Sequence, residues 1–373
     1  MTVTEKQPEP INWPFLGFVL SYHVLLIALL PFVIGDLSWA AAWLFAITFI
    51  IGGLSITAGY HRLFSHRAYR AHPVYEWATL VGSTLAFQWT ALSWAHDHRL
   101  HHQYVDTDKD PYSIKKGFWY AHMLWMISYR QDFQETRVAD LIKNPRVMFQ
   151  HRYYLPLAIG TNLAVWGIGC LFMPPLVALY AGFVVRIFAL HHCTWSINSL
   201  AHTIGSKTYA KELSAADNAL LSLVTFGEGY HNYHHAFQAD YRNGVRWYHF
   251  DPTKWLVWLA SKLGLTRELK TYDMVRLQKT LVRNDKQLLL EQLSHKMDAG
   301  AAECRHMLES LADTFDHHAT VIMKQFAEMK MATSERKQQL QAEIKRRQRE
   351  LRTMWKEWVT LTARAARRYE IEH

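Results

Sequence analysis

"FLGFVLSYHVLLIALLPFVIGDLSWAAAWLFAITFIIGGLSITA", Phe15 to Ala58, is the stretch that decides the fold. Phe15 to Ile34 is almost unbroken apolar sequence, interrupted by Ser21, Tyr22 and His23, and Trp39 to Ala58 is a second such run. Each supplies the ~20 residues that a helix needs to cross the hydrocarbon core of a bilayer. Only "GDLS", Gly35 to Ser38, lies between them, enough for a tight hairpin. A second pair follows at about Tyr154 to Phe172 and Pro175 to Ile197, joined across "MPP". Two such hairpins predict an all-α integral membrane protein with four transmembrane helices, at about 15–34, 39–58, 154–172 and 175–197.

Charge sets the orientation. The hairpin tips carry no lysine or arginine, whereas the segment between the pairs carries Arg62, Arg67, Arg70, Arg99, Lys115, Lys116, Arg130 and Lys143. The positive-inside rule makes that segment and both termini cytoplasmic. Val74 to Leu92 is apolar but softened by Glu76, Ser83, Thr84 and Gln88, and reads as a helix on the interface or against the spans. A fifth crossing would put later histidines on the opposite face from earlier ones. The expected organisation is a polar tail at 1–12, a membrane domain at 13–268 with a cytoplasmic cap at 59–153 and 198–268, and an extension at 269–373.

Half of the 373 residues are apolar and 15 are tryptophan, yet the mean hydropathy is only −0.13, as expected of apolar spans diluted by polar segments. The net charge of +9 fits a membrane surface or an anionic substrate, and no zinc-finger or RNA-binding signature points to nucleic acid. Cys170, Cys193 and Cys304 are widely separated, with no CxxC pair and no disulfide framework. "MTVTEKQPEP" has one lysine, two acids and two prolines and does not read as a signal peptide.

The extension, from about Lys270, contains no proline and one glycine, Gly300. Leu293, Met297, Cys304, Leu308, Leu311, Phe315, Ile322, Phe326 and Met329 recur mostly at three- and four-residue steps. Leu340, Ile344, Leu351, Met354, Trp358 and Leu361 resume the pattern after a polar interruption, and "KRRQRELR" makes the distal part basic. This predicts a long amphipathic helix or a pair of them, of the coiled-coil kind, that packs on the cytoplasmic domain or self-associates.

The chemistry lies in the histidines, 22 in all. His61 and His66 follow the second span; His98, His101 and His102 form "HRLHH"; Asn198 and His202 lie just past the fourth span; His231, His234 and His235 form "HNYHH". The two hairpins return the chain to one side, so all four clusters reach a single cytoplasmic site. Residues at i, i+3 and i+4 share a helix face, so each triplet aims at one region. His61 and His66, five apart, point roughly 140° from each other on an ideal helix, which assigns them to different metals or to a helix end. Nine imidazoles exceed the six positions of one octahedral ion, so two ions are expected. No cysteine lies in the clusters, and catalytic zinc uses only three protein ligands. Nitrogen-rich non-haem iron with open positions, binding O₂, suits the set best. Asp97, Asp106, Asp110, Asp217 and Glu228 are candidates to accept the second N–H of ligating rings.

"GYHRLFSHRAY" (59–69), "AFQW" (86–89), "WAHDHRLHH" (94–102), "DTDKDP" (106–111), "TWSINSLAH" (194–202) and "GEGYHNYHH" (227–235) closely resemble the membrane-bound acyl-CoA desaturases of the stearoyl-CoA Δ9 type. The resemblance runs from about Leu16 to Leu265, with the motifs in order. It implies a di-iron centre held by His61, His66, His98, His101, His102, His202, His231, His234 and His235, with Asn198 acting through water. It also implies a bent tunnel for the acyl chain, lined at its bend by Gln88, Trp94 and Thr194 with Trp195 nearby, and closed near Phe49 and Gly53. The implied activity is O₂-dependent insertion of a cis double bond, Δ9, into a saturated long-chain acyl-CoA, for unsaturated fatty acid synthesis.

Two features depart from the family, and a third is unusual in itself. His96 stands before Asp97, itself expected at the substrate, where animal members carry an arginine thought to meet the CoA part, which leaves Arg130 and other basic residues to face its phosphates. The extension has no counterpart in the animal enzymes and lacks a cytochrome b5 haem motif. Electrons must then come from a separate protein such as a ferredoxin, a cytochrome b5-like protein or a reductase. Arg186 is a charge inside the fourth span. The rival reading is a membrane alkane or lipid hydroxylase with a similar centre. A metal transporter would hold its ligands near the midplane, and a scaffold needs no aligned histidines.

Overall fold

The computed structural model describes residues 11–128, 133–296 and 298–370. Arg130, Met297 and nearly all of the expected tail at 1–12 lie outside the described residues. The chain divides into two compact units, Met1–Thr208 with Leu213–Thr271, and Tyr209–Glu212 with Tyr272–His373.

The first unit is built on apolar helices. Asn12 caps the Trp13–Val33 helix by accepting from the Phe15 N–H, and Ser38 caps the Trp39–Leu54 helix by accepting from Ala41. Among the described residues, three helices are long and apolar enough to cross a membrane: Trp13–Asp36, Trp39–Ser65 and Pro175–His202. The fourth apolar run forms a helix over Tyr154–Gly169, whose 16 residues span about 24 Å, less than the ~30 Å of a hydrocarbon core. Large apolar side chains stand outward on all four, among them Val24, Ile27 and Phe32, Trp43 and Ile47, Leu155, Ile159 and Leu163, and Leu176. An apolar surface on this scale calls for lipid rather than water.

Between the apolar pairs the chain folds over the helix ends. The apolar stretch expected as one helix, Val74 to Leu92, is two elements. The Pro73–Gly82 helix tightens into a 3₁₀ turn at Ser83–Ala86, and the chain then reverses through Phe87 and Trp89, both left-handed at φ +50° and +69°. Gly82 permits close approach to the second span, because a Cβ there would meet Ser55 Oγ at 2.2 Å. Thr90 then caps the Ala91–Tyr104 helix by accepting from the Ser93 N–H. A core of Tyr60, Phe64, Leu80, Leu92, Ala95, Val147 and Val257 welds these pieces. A two-residue antiparallel pairing, Arg70 with Arg267 and Ala71 with Thr266, ties the start of the cap to its end.

The second unit is a bundle of three helices, where the sequence suggested one or two: Met274–Ser294, Ala299–Met331 and Ser334–Tyr369. Asp298 stops the first pairing of turns by capping the second helix through the Ala301 N–H, and a short extended break at Ala332 and Thr333 separates the third. Lys279 reaches Asp316 and Lys286 reaches Asp313, while Gln325 reaches Glu343 and His318 reaches Glu350, so successive helices run antiparallel. Leu293, Leu308, Phe315, Ile322, Leu351 and Trp358 fill its core, and Trp358 Nε1 donates to Asp285 at 3.3 Å.

Candidate metal centre

His61 and His66 fall on one face for a reason the sequence conceals. The second span ends in eleven residues of π-helix, Ser55–Ser65, in which each turn takes an extra residue. The His66 N–H donates to the His61 carbonyl at 3.1 Å, an i→i+5 bond that stacks the two residues instead of splaying them 140° apart. Both therefore enter the same group, His66 sitting at the helix end as one of the two expectations had it, and the expectation of separate metals gives way. Arg99 holds this helix end by donating to the carbonyls of Phe64 and Ser65 and, bidentate, to Asp140.

The nine histidines gather into two groups, His61, His66, His98, His102 and His234, and His101, His202, His231 and His235, each with ligand nitrogens within 4.8 Å of one another. Each HxxHH triplet is shared between them. The i and i+4 rings of "HRLHH" join the first group and its i+3 ring joins the second; in "HNYHH" the division is reversed. Neighbouring Nε2 atoms approach at 3.0 Å for His61 and His234, 2.7 Å for His66 and His98, and 3.0 Å for His234 and His102. In the second group the separations are 3.0 Å for His231 and His202, 3.1 Å for His235 and His231, and 3.3 Å for His101 and His235. A metal–nitrogen bond of about 2.1 Å places adjacent ligands of an octahedron about 3.0 Å apart. Six converging pairs at that spacing fit two metal ions.

Four of the other ring nitrogens face outward to partners. His61 Nδ1 lies 2.8 Å from Glu228, His101 Nδ1 lies 2.9 Å from Asp110, and His98 Nδ1 lies 3.2 Å from the Tyr112 hydroxyl. His202 Nδ1 meets Ser214 Oγ at 2.6 Å, and Ser214 in turn donates to Asp106. Such partners fix ring orientation and leave Nε2 for metal. Asp217 serves the backbone, accepting from the Tyr233 N–H at 3.0 Å in the first turn of the His231–Ala236 helix, and burial pushes its carboxyl up to about 6. Asp97 pairs with His96 at 2.9 Å. Burial first, and then the charge of neighbouring rings, holds His66, His98, His102, His231, His234 and His235 well below the ordinary histidine pKa. That direction favours the neutral ring that a metal ligand must be.

Behind the first group sits a buried cation. Arg62 donates to Glu228 at 2.8 Å, to Asp251 at 2.9 and 3.1 Å, and to the Tyr241 carbonyl at 2.8 Å. Asp251 also receives the backbone N–H groups of Asn243, Gly244 and Lys254. Glu228 thus links the His61 ring to a fixed scaffold.

Beside the histidines lies a cavity of about 710 Å³, bordered by His61 and His98 of one group and His101 and His231 of the other. Gln88, Trp94, Asp97, Thr194, Trp195, Asn198 and Gly53 line it. Gln88 Nε2 donates to Thr194 Oγ1 at 2.7 Å, and Trp94 stacks on His98 at 4.8 Å. Phe49 does not line the cavity but packs on Phe226, which does, with ring centroids 5.3 Å apart. A Cβ on Gly53 would fall 2.0 Å from the Phe226 ring, so glycine is what lets that ring lie across the cavity. Arg186, buried, donates to Asn162 and borders none of this.

Sequence reasoning missed Tyr112, Ser214, Arg62 and Phe226. Tyr112 and Ser214 are single hydroxyls in loops with no spacing to betray them. Asp251 before Pro252 carries a readable helix-start signal, but nothing in it names Arg62 as a partner. Phe226 has a left-handed backbone, φ +57°, which places its ring and is invisible in a residue letter.

The fatty acid desaturase family model matches residues 37–266, which include every histidine of both groups. Among curated proteins, the probable acyl-CoA desaturase of Schizosaccharomyces pombe is 45% identical over 262 residues, covering 68% of this chain and 54% of that protein. Acyl-CoA desaturase 1 of Saccharomyces cerevisiae is 40% identical over 243 residues, 64% of this chain and 47% of that protein. The chain thus spans about half the length of these two relatives. The sn-1 stearoyl-lipid 9-desaturase of Anabaena variabilis is 33% identical over 276 residues, 73% of this chain and 99% of that protein. The chain belongs to the fatty acid desaturase family.

Proposed function

We propose that this protein is an O₂-dependent desaturase that inserts a cis double bond, at Δ9, into a saturated long-chain acyl-CoA. The observation that carries the reading is the shared wall: two groups of converging imidazoles border one largely apolar cavity, long-chain in scale. The first group would hold one iron and the second group the other, with Asn198 acting on the second through water. Bound as a pair, the ions supply the oxidising power that O₂ brings to an unactivated methylene. The balance is one acyl CH₂–CH₂ unit, O₂, two electrons and two protons giving CH=CH and two waters, the electrons arriving from a separate redox protein such as a ferredoxin, a cytochrome b5-like protein or a reductase.

What the chain itself contributes is position. Adjacent methylenes are chemically alike, so only a fixed chain is oxidised at one place. Gln88 and Thr194, hydrogen-bonded to each other on the cavity lining, turn the acyl chain in this reading. Trp94 and Trp195 form rigid walls at that level. The ring of Phe226, backed by Phe49 and admitted by Gly53, sets how far the methyl end can go. Asp97, on the cavity lining, serves the carrier end.

The same reading gives four crossings with the centre and both termini cytoplasmic. His61 and His66 end one long helix and His202 ends another, and these ends meet, so both helices run the same way. On this reading the chain returns across the bilayer between them. The Tyr154–Gly169 helix provides the path: its Tyr154 hydroxyl accepts from Trp89 N–H near the cavity, while Gly169 packs on Ala178 and Leu44 at the other end. Residues 13–268 form the catalytic domain, and the helical extension at 269–373 is available for self-association.

Expression in a membrane host, with gas chromatography–mass spectrometry of the acyl chains beside a His231→Ala control, tests this. A new cis double bond absent from the control is expected. A hydroxylated chain would move the protein to the hydroxylase class, and no product with full metal loading would overturn the reading.

A further inference from the structure

The third bundle helix, Ser334–Tyr369, carries eleven basic and four acidic residues, a net of +7 in a chain whose net charge is +9. Five of the cations are aligned. Lys345, Arg349, Arg352, Lys356 and Arg367 stand at i, i+4, i+7, i+11 and i+22, a sector of about 60° on an ideal helix and a row of about 33 Å. All five are exposed. The core residues Leu340, Ile344, Leu351 and Trp358 occupy the opposite side. The helix's described ion pairs join Arg336 to Glu328 and Glu343, and Arg346 and His318 to Glu350, which leaves the row itself uncompensated. An unpaired like-charged row repels itself and is stabilised only by an anionic partner.

We propose that this row docks on the anionic headgroups of the bilayer in which the other unit is embedded. The proposal rests on the reading that the other unit crosses a bilayer, and it is independent of the reaction catalysed there. Three observations favour a lipid surface. The row is straight and lies on one rigid helix, matching a plane. It presents no exposed aromatic ring for stacking bases, since Trp358 and Tyr369 are buried. The chain itself brings a membrane to it, so the surface acts at the high effective concentration of a tethered partner. Basic residues near an anionic leaflet are attracted individually and additively within a Debye length.

The test uses the full chain in nanodiscs, where both bilayer faces are accessible and orientation drops out. A genetically encoded fluorescent amino acid at the position of exposed Ala363, on the same face as the row, reports quenching by headgroup-labelled lipid. Quenching is expected in discs containing anionic phosphatidylglycerol and not in zwitterionic discs. It should vanish in about 1 M salt, where the Debye length is about 3 Å. Each neutralised residue should lower the docked-to-undocked ratio about fivefold, so K345Q/R349Q/R352Q/K356Q/R367Q should abolish quenching while the bundle melts as before. Quenching that ignores lipid charge, or none in either disc, overturns the proposal. So does binding of a labelled RNA oligonucleotide or an acidic redox protein at the row with no lipid response. If the lipid response is present but no acyl product forms, the desaturase reading fails and this one stands.

Discussion

Glu228→Gln is the substitution that most sharply separates a metal-orienting network from ordinary packing. The carboxylate has two oxygens and four donors around it: His61 Nδ1–H at 2.8 Å, Arg62 Nε–H at 3.2 Å and Nη2–H at 2.8 Å, and the Asn243 amide at 2.5 Å. Burial raises its pKa, but the adjacent His61 ring and the Arg62 guanidinium outweigh that and hold the carboxyl below its ordinary value. Glutamine keeps the shape but turns one acceptor into a donor, so at least one of these groups faces an N–H. Arg62 keeps Asp251, so the loss sits at the low end of the ~3–5 kcal/mol for breaking a buried pair. At about 2–4 °C per kcal/mol for a unit of this size, that is a melting shift of roughly 6–12 °C. The His61 ring loses its fixed acceptor, and metal affinity should fall about 10–100-fold. Competition against a graded chelator measures the affinity and a detergent-solubilised melt the stability. Asp251→Asn is the control: it weakens the same arginine without touching His61, and should lower stability while sparing affinity. An unchanged affinity in Glu228→Gln, or an equal loss in both variants, refutes the orienting role.

Phe226→Ala should lengthen the preferred acyl chain, since burial of each added methylene gains about 0.8 kcal/mol, or roughly fourfold in preference; Gly53→Ala should displace the ring and narrow the profile, and acyl-chain analysis showing no change in either would contradict the stop. Acid should destabilise the metal-free protein: the six histidines held neutral by burial stay unprotonated when folded but take up protons on unfolding below about pH 6.5. The unfolded state then binds more protons, so stability is full above that pH and falls below it, and a melting temperature that is flat down to about pH 5 would refute the assignment. Trp358→Ala should cost about 3–5 kcal/mol within the three-helix bundle, seen as faster amide exchange over 274–369 with exchange over 13–268 unchanged.

The sequence made the histidines legible because ligation demands particular side chains and helices repeat them at fixed steps. It did not reveal how they divide. His61 and His66 share a group only because the span ends in π-helix, and no residue letter distinguishes that winding from an α-turn. The long apolar runs announced their helices because length and hydropathy are all a bilayer asks. Tyr154–Gly169 is short because Pro174 and the turn at Cys170 end it, and Val74 to Leu92 breaks because Phe87 and Trp89 take up left-handed backbone that their types disfavour. In the extension, Asp298 and the break at Ala332 turned one periodic pattern into three helices. The partners of the rings lay furthest from view, since Glu228 with Arg62, Ser214 with Asp106, and Tyr112 are contacts between distant segments.

The most direct measurement is elemental analysis of the full chain purified from cells grown with iron, beside His66→Ala from the five-membered group and His202→Ala from the four-membered group. Two iron ions per chain are predicted, falling to one or fewer in each variant. A single ion per chain, zinc in place of iron, or two ions retained in both variants would contradict a pair of metal sites built from these nine histidines.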